Sequence, residues 1–232
     1  MKSKTSKGGS IPVVCVLTDS NPTGARLQAI LIAVIILFHV VGITGLSIPA
    51  LRPLFLQLVP WHILAMLAVI VASHKSFSEG FLLFFLIIFI TGFIGEWLGV
   101  HKNWVFGNYN YGKTLGLQLF DIPLTIGINW FLLVYSTGVL MQRLRVRSVF
   151  VRTIAGAIIL VLLDMLIEPV AIKFDYWHWT NNMIPFNNYA GWFVVSVLML
   201  YVFEQFRFKK QSIVGPVLLI TQFVFFGLLQ LV

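Results

Sequence analysis

The sequence contains few charged residues and a single cysteine. Asp, Glu, Lys and Arg make up 10% of its 232 residues, whereas a soluble domain usually has about 25%. Cys15 has no second cysteine with which to form an internal disulfide, and a cysteine-based metal site is excluded as well. Together with the 59% hydrophobic content, the low charge indicates a membrane protein rather than a soluble enzyme.

Several catalytic and cofactor-binding motifs are also absent. The chain has no glycine-rich phosphate-binding loop, no His-Glu-x-x-His zinc motif and no glycine-rich dinucleotide turn. No apolar run carries the dense histidine array of a membrane di-iron oxygenase. The last run has no lysine, which argues against a retinal Schiff base of the rhodopsin kind. The sequence therefore contains no recognisable motif for a metal or a cofactor.

Long apolar runs dominate the rest of the sequence. A helix needs roughly 20 residues to cross a hydrocarbon core about 30 Å thick, and seven runs have about this length. They predict an all-α polytopic membrane helix bundle that forms one domain over 26–232, preceded by a flexible cytoplasmic tail over 1–25. The predicted spans are 27–47, 54–73, 80–100, 122–142, 150–172, 190–206 and 212–232.

The distribution of positive charge predicts the orientation of the bundle. Lys and Arg are enriched in cytoplasmic loops of membrane proteins. With a cytoplasmic N terminus, twelve of the 16 Lys and Arg residues fall on the inner side and four on the outer side. We therefore predict an external C terminus, an odd number of spans and a location in the cell membrane, surrounded by lipid. The same distribution explains the net charge of +8 without a nucleic-acid partner.

Acidic residues are concentrated at the outer ends of the predicted spans. Asp164 and Glu168 are four residues apart, so both carboxyls lie on one face of a helix. Two like charges in an apolar site do not both ionise easily, so we expect one of the pair to keep its proton and to act as a general acid. An ion pair with Lys173, or with an arginine of a neighbouring span, is the alternative.

Further polar residues on the outer side are candidates for the same site. Glu96 lies in a glycine-rich stretch, and we expect it to act as a second acid or to orient water. Asp121 precedes an Ile-Pro pair at the start of the fourth span, where capping the helix is an equal alternative. Asn129 lies two turns deeper and could hold a water or a carboxyl. For His39 and His62, inside the first two spans, hydrogen bonding between helices is the alternative to a site role.

The two predicted outer loops, 101–121 and 173–189, are rich in aromatic residues. A belt of aromatic side chains at the membrane surface explains several of them, but the inner side has no comparable set. The surplus indicates an aromatic-lined pocket, because ring faces stabilise positive charge and also pack against a flat polyene. The aromatic candidates for substrate contact are Trp97, Tyr109, Tyr111, Trp130, Trp177, Trp179 and Trp192.

Two blocks within roughly 90–195 carry recognisable motifs. The first contains Gly-Glu-Trp-Leu-Gly over 95–99, Phe-Gly-Asn-Tyr-Asn-Tyr over 106–111 and Asp-Ile-Pro over 121–123. The second contains Asp-Met-Leu-Ile-Glu-Pro over 164–169 and Trp-His-Trp over 177–179. With these motifs the chain resembles the membrane carotenoid biosynthesis proteins, a family that includes hydratases of the bisanhydrobacterioruberin and γ-carotene 1′-hydratase type.

The resemblance implies a cofactor-independent hydratase of carotenoid biosynthesis. Such an enzyme protonates the terminal C1,C2 double bond of an acyclic ψ-end group, and water captures the tertiary cation. The catalytic candidates are then Asp164, Glu168, Glu96 and Asp121, the ligands are a carotenoid and water, and other enzymes of the pathway are further partners. Two alternatives remain: a cyclase-like isomerase, which closes a ring instead of adding water, and a non-enzymatic carotenoid-binding or transport protein.

Overall fold

A computed structural model describes residues 22–75, 78–144, 146–180, 183–208 and 211–232. Within these ranges the protein has seven α-helices, one for each predicted span. Six are long and apolar enough to cross a membrane, and the seventh, of 16 residues, is shorter. The predicted all-α polytopic bundle is confirmed. Of the predicted tail, residues 1–21 lie outside the described residues, and the remainder already belongs to the first helix.

Successive helices run in opposite directions. They are α1 (Pro22–Ser47), α2 (Arg52–Ser73), α3 (Glu79–Lys102), α4 (Leu124–Arg143), α5 (Val149–Lys173), α6 (Phe186–Gln205) and α7 (Val214–Leu229). At one end of the bundle, Arg152 near the start of α5 pairs with Glu204 near the end of α6. Towards the other end, the side chain of Gln230 donates to the carbonyl of Leu166 in α5. In the same half of the bundle as Gln230, Trp130 of α4 donates to Glu96 of α3, so the C-terminal ends of α3 and α5 lie beside the N-terminal ends of α4 and α6.

The fourth helix is the centre of the bundle. It packs against α2, α3, α5, α6 and α7, and 78% of its apolar stretch is buried inside the protein, compared with 17–39% in the other five long helices. Because α4 has little contact with lipid, it tolerates polar side chains such as Thr125, Asn129 and Ser136. A Cβ at Gly92 would lie 2.7 Å from the Trp130 ring, so this glycine allows α3 and α4 to approach closely.

Two short β-ribbons cover the end of the bundle at which the acidic residues lie. The strands are β1 (Tyr109–Tyr111), β2 (Gln118–Leu119), β3 (Ile122–Pro123) and β4 (Trp177–Trp179). Strand β1 pairs with β4 and joins the two predicted outer loops, whereas β2 and β3 form a local hairpin. The prediction of helices alone did not include these strands, which position the side chains of the site described below.

A reporter fused after Val232 should be external, and a reporter fused to the N terminus should be cytoplasmic. The expected result follows from the uneven distribution of Lys and Arg and from the odd number of antiparallel helices. Paired fusions of a reporter active only outside the cell and one active only inside it measure both positions. A fusion after Gln205 should be cytoplasmic and serves as an internal control. Termini on the same side would contradict the topology.

Candidate active site

Glu96, buried near the C-terminal end of α3, accepts three side-chain hydrogen bonds. The hydroxyls of Tyr109 and Tyr111 donate to its Oε2 at 2.5 and 2.6 Å, and the indole N–H of Trp130 donates to its Oε1 at 2.9 Å. Burial, followed by the nearby Glu96 carboxyl, raises the pKa of Tyr109 and of Tyr111 well above the ordinary tyrosine value. Both hydroxyls therefore keep their protons and hold the carboxyl in one orientation.

The predicted acidic pair on α5 is completed by an asparagine from α6. Oε2 of Glu168 accepts from the indole N–H groups of Trp177 at 3.1 Å and Trp179 at 2.8 Å. Nδ2 of Asn188 donates to Asp164 Oδ2 at 2.8 Å and to Glu168 Oε1 at 3.0 Å. The other oxygen of Asp164 is buried without a partner among the described residues. One amide therefore bridges the two carboxyls and fixes their relative position.

The alternative role for this pair, an ion pair with Lys173, is not formed. The ammonium group of Lys173 lies 5.7 Å from the ring centroid of Phe174 instead. The groups that the structure places against the two carboxyls are N–H donors of Trp and Asn. These Trp and Asn donors are neutral, so none of them neutralises a negative charge on the two carboxyls.

The β1–β4 ribbon supplies four of these aromatic donors. Its register pairs Tyr109 with Trp179 and Tyr111 with Trp177. Since side chains alternate along a strand, the four rings point into the bundle while the polar residues between them face solvent. The Tyr109 and Trp179 rings lie 5.0 Å apart between centroids. One ribbon therefore brings two phenols to Glu96 and two indoles to Glu168.

A small cavity, here called the acidic pocket, is lined by both Glu96 and Glu168. Its volume is about 30 Å³, above the roughly 10–15 Å³ that a cavity needs to hold one water molecule. The ring of Trp192 stacks on that of Trp130, with 4.3 Å between centroids. The volume of the pocket leaves room for an ordered water between the two carboxyls. Its other polar and aromatic lining residues include Tyr109, Tyr111, Asn129, Trp177, Trp179 and Asn188.

A second cavity, here called the apolar cavity, adjoins the acidic pocket. Its volume is about 410 Å³, and most of its wall is apolar side chains of α1, α2, α4, α5 and α7. His39 and His62 lie in this wall with their rings edge to face, 4.6 Å apart between centroids, and His39 Nδ1 bonds to the carbonyl of Ile35. The residues that line both cavities are Ile126, Asn129, Ile167 and Trp177.

The structure does not bring Asp121 or Trp97 to the acidic pocket. Asp121 lies in the turn between β2 and β3 with φ 60°, and its side chain is 80% exposed and 3.4 Å from Nε2 of His101. Pro123 occupies the N-cap position of α4, so the predicted alternative that Asp121 caps this helix is wrong. Trp97 stacks on His101, with 5.1 Å between ring centroids. The local sequence did not indicate the turn that carries Asp121 outward.

Asn188 is the residue of this site that the sequence interpretation missed. The predicted sixth span began at 190, whereas α6 begins at Phe186, so Asn188 belongs to the first turn of the helix. It is 2% exposed, and the neighbouring Asn187 is exposed. Asn188 lies one helical turn before Trp192, which was itself a candidate. This i,i+4 spacing is the signal that would have placed both residues on one face.

Comparison with known proteins identifies the family. The profile of the carotenoid biosynthesis protein family matches residues 57–232, and the chain belongs to this family. Bisanhydrobacterioruberin hydratase from Haloarcula japonica is 28% identical over 125 residues, which cover 51% of this chain and 42% of that protein. The chain thus spans less than half the length of this curated relative. No solved structure matches the chain. The resemblance found in the sequence motifs is confirmed.

Proposed function

We propose that this protein is a carotenoid hydratase of the cell membrane, which adds water to the terminal C1,C2 double bond of an acyclic ψ-end group without a cofactor. The junction of the two cavities is the observation that supports the proposal most directly. An apolar cavity of about 410 Å³ shares wall residues with a water-sized pocket that contains carboxyls from α3 and α5. An alkene in the first would meet an acid and a water at the boundary.

The first step is proton transfer from the α5 pair to C2, which breaks the π bond and leaves a tertiary cation at C1. Glu168 lines the acidic pocket, whereas Asp164 is fully buried behind it. We therefore assign delivery of the proton to Glu168. The like charge of Asp164 keeps a proton on the pair, because two adjacent carboxyls in an apolar site do not both ionise.

The second step is capture of the cation by water. Trp177 lines both cavities, so its ring lies beside the position of the cation and stabilises it. Glu96 is held by its three donors as an oriented acceptor. A water in the acidic pocket attacks C1 to form the C–O bond and passes a proton to Glu96. The proton returns to Glu168 through the pocket, and the product is a tertiary alcohol.

The pocket also favours hydration over the two alternatives. A cyclase-like isomerase uses the same protonation but must keep water away from the cation, and here a water-sized space lies between the two acids. A transport or storage protein has no need for two buried carboxyls joined by one amide. Buried acids that only bind an apolar chain would destabilise the protein without any gain.

Membranes that contain this chain should convert a ψ-end carotenoid to a product heavier by one water, without oxygen or nucleotide. Mass spectrometry after incubation in isotopically labelled water measures the incorporation of solvent oxygen, and membranes of the same host without the chain are the control. An isomer of unchanged mass would point to the cyclase reaction. A requirement for molecular oxygen would point to a hydroxylase and would contradict the proposal.

A further inference from the structure

The apolar cavity extends to the lipid-facing surface of the bundle between α1 and α2. Leu37 and Phe38 of α1, and Leu58 and Trp61 of α2, line the cavity. The same four side chains are among the exposed apolar residues of the protein, and Trp61 is 67% exposed. A side chain that lines a cavity and also faces outward lies at its rim. The cavity is therefore open sideways, through a surface that is apolar.

This rim lies at the depth of the hydrocarbon rather than at the membrane surface. Phe38 is nine residues before the end of α1 at Ser47, and Trp61 is nine residues after the start of α2 at Arg52. At 1.5 Å per residue, both are about 14 Å from that end of the bundle, which is near the middle of a core about 30 Å thick. An opening at this depth admits molecules from the lipid.

The cavity encloses only part of a long polyene. Its volume of about 410 Å³ lies in the lower part of the range of roughly 300–1,000 Å³ that is typical of pockets for drug-sized ligands. A linear carotenoid is roughly as long as a bilayer is thick. One end of such a molecule fits between the rim and the acidic pocket, and the remainder has to lie outside.

We propose that a long linear polyene inserts one end through this lateral opening, defined by Leu37, Phe38, Leu58 and Trp61, while the rest of the molecule stays in the lipid. The identity of the occupant rests on the proposed function; the opening itself rests on the cavity and its exposed rim. The protein then recognises the end group and the adjoining segment and makes no contact with the far end.

Gly42 is the position at which the apolar cavity, which leads from the lateral opening to the acidic pocket, can be narrowed. It lines the cavity, and a Cβ there would lie 3.2 Å from the Phe225 ring. Gly42→Leu should fill the path and weaken polyene binding by at least about tenfold. Gly227→Leu is the matched control, because this glycine is also on a helix, has open space around it and lies outside the cavity lining.

A second pair of variants tests the rim without disturbing the interior. Leu58→Trp enlarges an exposed side chain at the opening and should also weaken binding, whereas Leu64→Trp, on the same helix with similar exposure but outside the cavity, should bind normally. Binding is measured with the purified full chain in lipid nanodiscs, from the change in the visible spectrum of an acyclic ψ-end polyene. A polyene with a bulky group on its far end should bind the unmodified protein as well as the parent molecule.

These measurements separate the opening from the proposed reaction. Exclusion of the bulky-ended polyene, normal binding by both Gly42→Leu and Leu58→Trp, or no binding to the unmodified protein would each overturn the opening. If the polyene binds with the expected dependence on Gly42 and Leu58 but is released unchanged in mass, the opening is supported and the hydratase proposal fails.

Discussion

Glu168→Gln should lower turnover by about 10²–10⁴-fold, the usual contribution of a general acid, while the amount of protein in the membrane stays the same. The amide keeps the size of the side chain, and its one oxygen can accept from Asn188 or from the two indoles, but it has no acidic proton to deliver to the alkene. Asp164→Asn should have an effect of the same order, because it removes the like charge that keeps a proton on the pair.

Turnover per amount of inserted protein is the quantity to measure for these variants. Glu79→Gln is the matched control: Glu79 is exposed at the start of α3, at the opposite end of the bundle, and should tolerate the change without loss. If Asp164→Asn and Glu168→Gln both turn over normally at normal protein levels, the acid lies elsewhere. Glu96 is then the next candidate.

Asn188→Leu should lower turnover by about ten- to a hundredfold and should also lower thermal stability. The change leaves an oxygen on each of two buried carboxyls without its amide donor, and a buried group that loses its partner costs about 1–3 kcal/mol. Asn187→Leu is the control in the neighbouring position, since its side chain is exposed.

Turnover and thermal stability, measured together, distinguish a positioning role of Asn188 from a purely structural one. If it positions the carboxyls, the turnover of the folded, inserted protein falls and its pH–rate profile differs from that of the unmodified chain. The profile of Asn187→Leu should coincide with the unmodified one. A variant that loses stability but keeps normal turnover below its melting temperature would show that Asn188 only supports the fold.

Apolar runs predict the helices of this protein well, because a membrane span is defined by its own length and composition. The start of α6 is the exception that affects the site. Asn187 and Asn188 are polar, so hydropathy places them in a loop, although Asn188 is buried against the acids of α5. Its burial depends on a neighbouring helix, and a local pattern does not contain that information.

For the carboxyls too, an arrangement within one helix could be predicted from the sequence, whereas an arrangement set by strand pairing could not. The i,i+4 spacing of Asp164 and Glu168 places them together within one helix, and Glu96, a separate candidate in the sequence, lines the same pocket as Glu168. Asp121 differs because its position is set by the pairing of Leu119 with Ile122, which closes a two-residue turn with positive φ at Phe120 and Asp121. An acid followed by Ile-Pro is equally compatible with a helix cap.

The sequence contains the alternating pattern of both strands, although only its aromatic content entered the prediction. Tyr-Asn-Tyr over 109–111 and Trp-His-Trp over 177–179 both alternate aromatic and polar residues with the period of a strand. Two triplets are too short to predict strands by themselves, and they are more than sixty residues apart. Only their pairing explains why each contributes two donors to the site.

The β1–β4 ribbon also limits how the outer loops can change in length during evolution. A slip of one residue turns every side chain of a strand to the opposite face, so Asn110 would replace a tyrosine and His178 would replace a tryptophan. Because β1 serves Glu96 and β4 serves Glu168, a single inserted residue in the first triplet would remove donors from Glu96, and one in the second would remove donors from Glu168. In active homologues, insertions and deletions are therefore expected outside the two triplets.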